Sequence, residues 1–177
     1  AMTFEVAAAL HVLKELLEVV GWVHGQDQVV GSMHPEAVVL GDAGEVWLTG
    51  LGFPLPSPRS YPDTHAHELL YLAPEGVAEP EDAGKRGDVF SVGAVAVFLF
   101  TGRAPRPSSA TTSDALARAK EPPAADVLDG RKLPVALKEW ILRLLSKDPG
   151  HRPADGMAAL HELEAVEGEI LEGQATF

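Results

Sequence analysis

The sequence predicts a mainly α domain of the α+β class, with one small β-hairpin near its N-terminal end. Three observations carry that prediction. Val6, Leu10, Leu13, Leu17 and Val20 recur at spacings of four, three, four and three, which is one face of an amphipathic helix. The dozen residues after Asp88 are apolar or small all round, so the helix they form has no face for water. Two short β-prone pieces, Ala37 to Leu40 and Glu45 to Thr49, flank Gly41-Asp42-Ala43-Gly44, a hairpin signal.

In chain order, Thr3 is the expected N-cap of the first helix, and Gly21 and Gly25 mark its end. Val29 and Val30 form a further β-prone piece before the hairpin. Four of the ten residues from Phe53 to Pro62 are proline, which excludes helix and central strand and predicts an exposed loop. Asp88 is expected to cap the central helix, which ends at Thr101-Gly102. A second loop spans Ala104 to Thr112. Three helices follow: a short one near Asp114 to Lys120, one from Val135 to Ser146, and a last one from Ala154 to about Ile170. No internal repeat and no domain break is visible, so residues 1–177 read as a single domain. The opening Ala1-Met2 looks like the remnant of a removed tag.

Composition narrows the function. The 177 residues hold 14 Lys and Arg against 26 Asp and Glu, a formal net charge of −12. Such a field repels phosphate backbones and anionic lipid, and the cations are scattered, so neither nucleic acid nor a membrane is an expected partner. The chain has no cysteine, which removes disulfides, thiolate nucleophiles and Cys-ligated zinc and makes a cytoplasmic location the default. The longest uninterrupted apolar run, Val92 to Phe100, is too short to span a bilayer. Ala, Val, Gly, Leu and Pro dominate while Asn is absent, which suits a GC-rich bacterial genome.

Read without gaps from Leu16, the stretch LLEVVGWVHGQDQVVGSMHPEAVVLGDAGEVWLTGLGF resembles the protein-kinase segment running from the helix before the catalytic loop into the DFG motif. YLAPE at Tyr71 to Glu75 resembles the APE motif. GDVFSVGAVAVFLFTGRAP resembles the buried central helix, and LLSKDPGHRP the signature near a kinase's end. The resemblance covers nearly the whole chain and implies the fold of the C-terminal lobe alone. No GxGxxG and no Val-Ala-x-Lys is present, so the N-terminal lobe, and with it half of the nucleotide site, is expected to be absent.

The resemblance also implies roles, position by position. A kinase needs a catalytic-loop carboxylate as base, an Asn for metal and the DFG Asp for the other metal contact. Ser32 stands at the base, Ala37 at the Asn and Gly50 at the DFG Asp, while His34 replaces the catalytic-loop Lys. A neutral hydroxyl cannot take up a proton near pH 7 as a carboxylate does. The expectation is therefore a catalytically inactive pseudokinase, not an enzyme, with no cofactor and no metal. Glu75, Asp88 and Arg152 match structural positions: an ion pair from the APE Glu to the late Arg, and a carboxylate receiving catalytic-loop amides.

Val30, Val39, Leu51 and Phe53 are expected to form an apolar upper face where kinases seat nucleotide and N-terminal lobe. A protein is the expected occupant: a component of a Ser/Thr kinase pathway, or a second copy of this chain. The function implied is a scaffold or regulator in signalling. The alternative is half of a split or truncated kinase, keeping nucleotide binding or an unusual phosphotransfer when an N-terminal lobe is supplied elsewhere.

Other features read as ordinary. His65-x-His67 lacks further zinc ligands nearby, and Ser57 and Ser60 beside Arg59 lie in a plain Pro-rich loop, though a phosphate there could pair with the Arg. Trp22, Trp47 and Trp140 are expected in or at the edge of the core. Glu162, Glu164, Glu167, Glu169 and Glu172 read as a solvated face of the last helix, with a basic partner as the alternative.

Overall fold

The computed structural model describes residues 3–31, 33–50, 62–78 and 84–175. The 20-residue helix α1 spans Val6–Gly25 and buries Leu10, Leu13, Leu17 and Val20 on the predicted face. Its N-cap is Glu5, not Thr3. The reason lies just upstream: Phe4 N–H donates to Leu99 O at 3.0 Å, which holds that segment extended against the central helix and delays the first turn. Helix α1 ends at Gly25 as expected and runs through Gly21, which sits against Met157 of the last helix, where a Cβ would collide with its sulfur.

Val29 and Val30 form no strand. The Val30 and Gly31 amides donate to the Asp88 carboxylate instead, leaving no ladder to join. After a 3-10 turn at Pro35–Ala37 comes the hairpin, β1 Val38–Leu40 and β2 Val46–Leu48, antiparallel with Val39 opposite Trp47. Both strands are shorter than the sequence predicts, since the 3-10 turn takes Ala37.

The short helix α2, Pro74–Ala78, precedes the 17-residue α3, Lys85–Thr101, in which every residue from Gly87 to Val97 is buried. Gly84 is the N-cap, so Asp88 lies inside the first turn and does not cap the helix; its carboxylate faces the loop after α1. Gly102 ends α3 in the left-handed region at φ 68, donating its N–H to Phe98 O at 2.7 Å. Three more helices follow: α4 Thr112–Ala119, α5 Val135–Leu144 and α6 Gly156–Ala175. Thr111 caps α4 by accepting from Asp114 N–H at 3.2 Å, and Asp155 accepts from Ala158 N–H at 2.8 Å at the head of α6. Helices α1, α5 and α6 pack around α3, with Phe90, Phe100, Leu13, Leu137 and Ile141 fully buried among them.

Two expectations about surface residues are corrected. Trp140 is buried, but Trp22 is 67% and Trp47 62% exposed. On β2 the inward positions belong to Val46 and Leu48, which turns Trp47 outward; on α1, Val20, Val23 and His24 take the core side. Nor is the acidic face of α6 simply solvated. Glu167 accepts from Lys14 of α1 at 2.7 Å, and Glu162 accepts from Arg143 of α5.

The crossing of α1 and α6 tolerates no side chain. A Cβ at Gly156 would stand 2.6 Å from the backbone nitrogen of Gly21. Gly156→Ala is expected to lower the unfolding free energy by about 1–3 kcal/mol through overpacking. Urea titration checks this, and an unchanged midpoint would mean that the two helices separate freely.

Candidate functional site: the loop after α1 and its supports

The site is assembled by a buried carboxylate. Asp88 Oδ2 accepts from Val30 N–H at 2.6 Å and His24 Nε2 at 2.9 Å, and Oδ1 accepts from Gly31 N–H at 2.8 Å. Both side chains of the His24–Asp88 pair are 2% exposed. His24 Nδ1 accepts from Gly156 N–H at 3.0 Å, so the ring proton sits on Nε2, where it is given to Asp88. One carboxylate thus fixes the end of α1, the loop behind it and the first turn of α3, and His24 adds the head of α6. Val30 is consequently 7% exposed and packs in the core, so it does not belong to the apolar upper face expected of it.

The loop continues through Met33, His34 and Glu36 into Ala37. Ser32 lies outside the described residues, as do Leu51, Phe53 and the Pro-rich loop with Ser57, Arg59 and Ser60. Thr49 donates both its N–H, at 2.9 Å, and its hydroxyl, at 3.2 Å, to Ala37 O. That brings Ala37 beside Gly50, the two described positions where the kinase pattern has metal ligands. Neither carries a side-chain oxygen. Gly50 has φ 80 with open space where a Cβ would stand.

His34 faces a cluster that the sequence did not connect. Its Nε2 lies 3.8 Å from Glu68 Oε2, and its Nδ1 is buried without a partner among the described residues. His65 Nδ1 donates to Glu68 Oε1 at 2.6 Å, and His67 Nε2 donates to Glu36 Oε2 at 3.2 Å. Burial holds His34 below the usual histidine range, against the opposing pull of Glu68 and Glu36. Among the described residues no group of three or more His, Asp and Glu is placed to hold a metal ion.

Beneath this cluster two buried guanidinium groups hold the segment from Leu69 to Glu75. Arg152, 3% exposed, donates from Nη1 to Glu75 Oε1 at 2.5 Å and from Nη2 to Glu75 Oε2 at 3.0 Å. Its remaining donors reach Ser146 O, Arg86 O and Lys147 O. Arg106, 4% exposed, has no carboxylate partner among the described residues. It donates to Leu70 O at 2.6 Å and Leu72 O at 3.0 Å from Nη1, to Ala119 O from Nη2 and to Glu121 O from Nε. Burial, helped by the charge of Arg152, pushes its pKa down to about 10. Both guanidinium groups lie over the Phe90 ring, about 5 Å from its centroid. Sequence reasoning missed Arg106, which stands between two prolines in a stretch read as plain loop.

Above the loop the hairpin presents Val39 at 46% and Trp47 at 62% exposure, directly opposite one another and so on one face of the two-stranded sheet.

Comparison with known proteins agrees with this arrangement. The chain is 30% identical over 173 residues to a probable serine/threonine-protein kinase, pknA2, of Bifidobacterium longum, covering 95% of this chain and 22% of that protein. It is 30% identical over 169 residues to the serine/threonine-protein kinase PknL of Mycobacterium tuberculosis, covering 92% and 41% respectively. With PrkC of Bacillus subtilis the identity is 28% over 149 residues, 81% of this chain and 22% of that one. The crystal structure of Rad53 1–466 in complex with AMP-PNP superposes with a TM-score of 0.70 at 18% identity, covering 90% of this chain and 40% of that one. No family model matches the chain. The fold is that of a kinase C-terminal lobe, and the chain belongs to the protein kinase-like superfamily. It spans about a fifth to two fifths of the length of these relatives. All three are bacterial, which supports the origin its composition suggests.

These relatives overturn one expectation, that the chain is not an enzyme. Proteins matching 92 to 95% of it are named as serine/threonine kinases, which are enzymes. No helix among the described residues is long and apolar enough to cross a membrane.

Two outcomes are expected of this geometry. Glu75→Ala leaves Arg152 buried and unpaired and should cost about 3–5 kcal/mol in denaturant unfolding. A loss under about 1 kcal/mol would show that the backbone carbonyls alone hold Arg152. The lowered His34 pKa means that the unfolded chain binds more protons than the folded one just below pH 6.5. Stability should therefore fall as pH drops through 6.5 toward the folded pKa, and His34→Gln should flatten that slope in melts taken from pH 7.5 to 5. An equal slope in the variant would assign the proton uptake to another group.

Proposed function

We propose that this domain is a protein-interaction module of Ser/Thr kinase signalling, acting as scaffold or regulator through the outward face of its hairpin. The observation carrying this reading is the cross-strand pair Val39 and Trp47, both large and apolar and both open to solvent. A β-branched or aromatic side chain on a two-stranded hairpin gains little from facing water, whereas aromatic residues are enriched in the buried centres of protein interfaces. Leu40, 44% exposed, pairs with Val46 and so lies on the other face of the hairpin.

A second reading is favoured by the length of the relatives: the hairpin seats an upper lobe supplied by another segment or chain, and the pair binds nucleotide or transfers phosphate. Both readings put a protein on the same surface and differ in what it brings. Affinity capture with the wild-type domain and a Val39→Asp, Trp47→Asp double variant as parallel baits tests the surface. A protein held by the first and lost from the still-folded second supports it; the same proteins on both baits overturns it. Thermal melts with ATP and magnesium divide the readings, since a ligand at 100 times its Kd stabilises by about 2.7 kcal/mol. A shift seen only with the captured protein present favours the completed kinase. No shift in either state favours the scaffold.

A further inference from the structure

A second surface lies far along the chain from the hairpin, between α5 and α6. The two helices leave a groove of about 400 Å³ between them. Ala136 and Trp140 of α5 and Ala165 and Val166 of α6 line its apolar stretch. The helices run in opposite directions along it, because Arg143 meets Glu162 while Ala136 and Glu169 lie at the other end. That second end is where α5 begins and α6 continues. The groove therefore has an apolar floor.

Its charge is one-sided. Glu139 from α5 and Glu162 and Glu169 from α6 flank it. The single cation among its lining residues, Arg143, is already matched by Glu162. Glu139 and Glu169, both exposed, have no ion-pair partner among the described residues. Two polar atoms of the lining are also unsatisfied: the indole N–H of Trp140, a residue 4% exposed, and Glu162 Oε2 are buried without partners among the described residues.

We propose that this groove docks a basic amphipathic segment of another protein, a helix whose apolar stripe lies between α5 and α6 and whose Lys or Arg side chains pair with Glu139 and Glu169. Helix-in-groove recognition lays the apolar face of an amphipathic helix in an apolar trough, and charged rims add electrostatic complementarity. Charge selects the occupant: a second copy of this chain, at −12, would bring like charge to the rims, whereas a cationic segment is attracted by the whole domain and held by the two rim carboxylates. The surface is separate from the hairpin face, so it survives whichever occupant that face takes.

The probe is a fluorescein-labelled 16-residue helical peptide with leucines at i, i+4, i+7 and i+11 and lysines on both flanks, measured by anisotropy. A peptide with glutamate for each lysine serves as the comparison. Wild type is expected to bind the lysine peptide, and Glu139→Lys with Glu169→Lys to weaken it at least tenfold. Ala165→Trp, which fills the trough without changing charge, should also weaken it at least tenfold. Glu18→Lys with Asp126→Lys makes the same charge change elsewhere and should leave affinity within threefold, as should the Val39→Asp, Trp47→Asp variant. No binding of the lysine peptide, equal losses in the two charge-reversal pairs, or full affinity in Ala165→Trp would each overturn the proposal.

Discussion

Asp88 sets the conditions under which the rest of this structure exists. A carboxylate 2% exposed is several kcal/mol too costly to bury unless donors replace its water, and it receives three: two loop amides and an imidazole N–H. Each donor comes from a segment that has to be in place before the others fit. Val30 and Gly31 cannot donate unless α1 has ended and the chain has turned. Gly156 N–H, donating to Nδ1, fixes the tautomer in which His24 donates from Nε2, and this brings the head of α6 against α1. The bareness of Gly21 and Gly156 follows from this, since any Cβ there would push α6 away from the histidine it orients.

The second dependence runs through Phe90, the ring under both buried guanidinium groups. Arg152 has a carboxylate partner and Arg106 has none among the described residues; Arg152 makes five hydrogen bonds and Arg106 makes four, the latter all to backbone carbonyls. The difference appears in what each holds. Arg152 grips the Glu75 side chain and through it the start of α2, while Arg106 collects the Leu70 and Leu72 carbonyls just before it. Burial, and after it the charge of Arg152, pushes the Arg106 pKa down to about 10. Together the two residues hold the chain from Leu70 to Glu75, just after Glu68 of the His34 cluster.

How much of this was legible depended on whether the signal was local. Helix α3 declared itself because burial on all sides leaves no polar face, and α1 because its apolar period is regular. The motif residues Glu75, Asp88 and Arg152 could be named from pattern. Asp88 nevertheless invited a wrong local reading as a cap, because its true donors come from nearly 60 positions upstream. Arg106 gave no sign at all: four carbonyl acceptors leave no trace in the identity of the residues that supply them. The His34, His65, His67, Glu36 and Glu68 cluster was likewise invisible, since its members are ordinary loop residues until the fold brings two segments together. The tryptophans misled for the opposite reason, being read by type when side-chain alternation on β2 and the core side of α1 decide their place.

The two exposed apolar surfaces differ in kind, and the difference bears on how the domain could be used. The hairpin face is built from strands whose inward side chains, Val46 and Leu48, anchor it while Val39 and Trp47 face out, so it is a flat, neutral patch on a small sheet. Such a patch gains from any apolar cover and discriminates weakly. The α5–α6 groove has shape and sign: an indented apolar floor with carboxylates on both rims. Shape limits the occupant to something narrow, and unpaired carboxylates make an acidic occupant unfavourable. The α3 helix is buried from Gly87 to Val97 and contacts α1, α5 and α6, while β2 of the hairpin packs on α1.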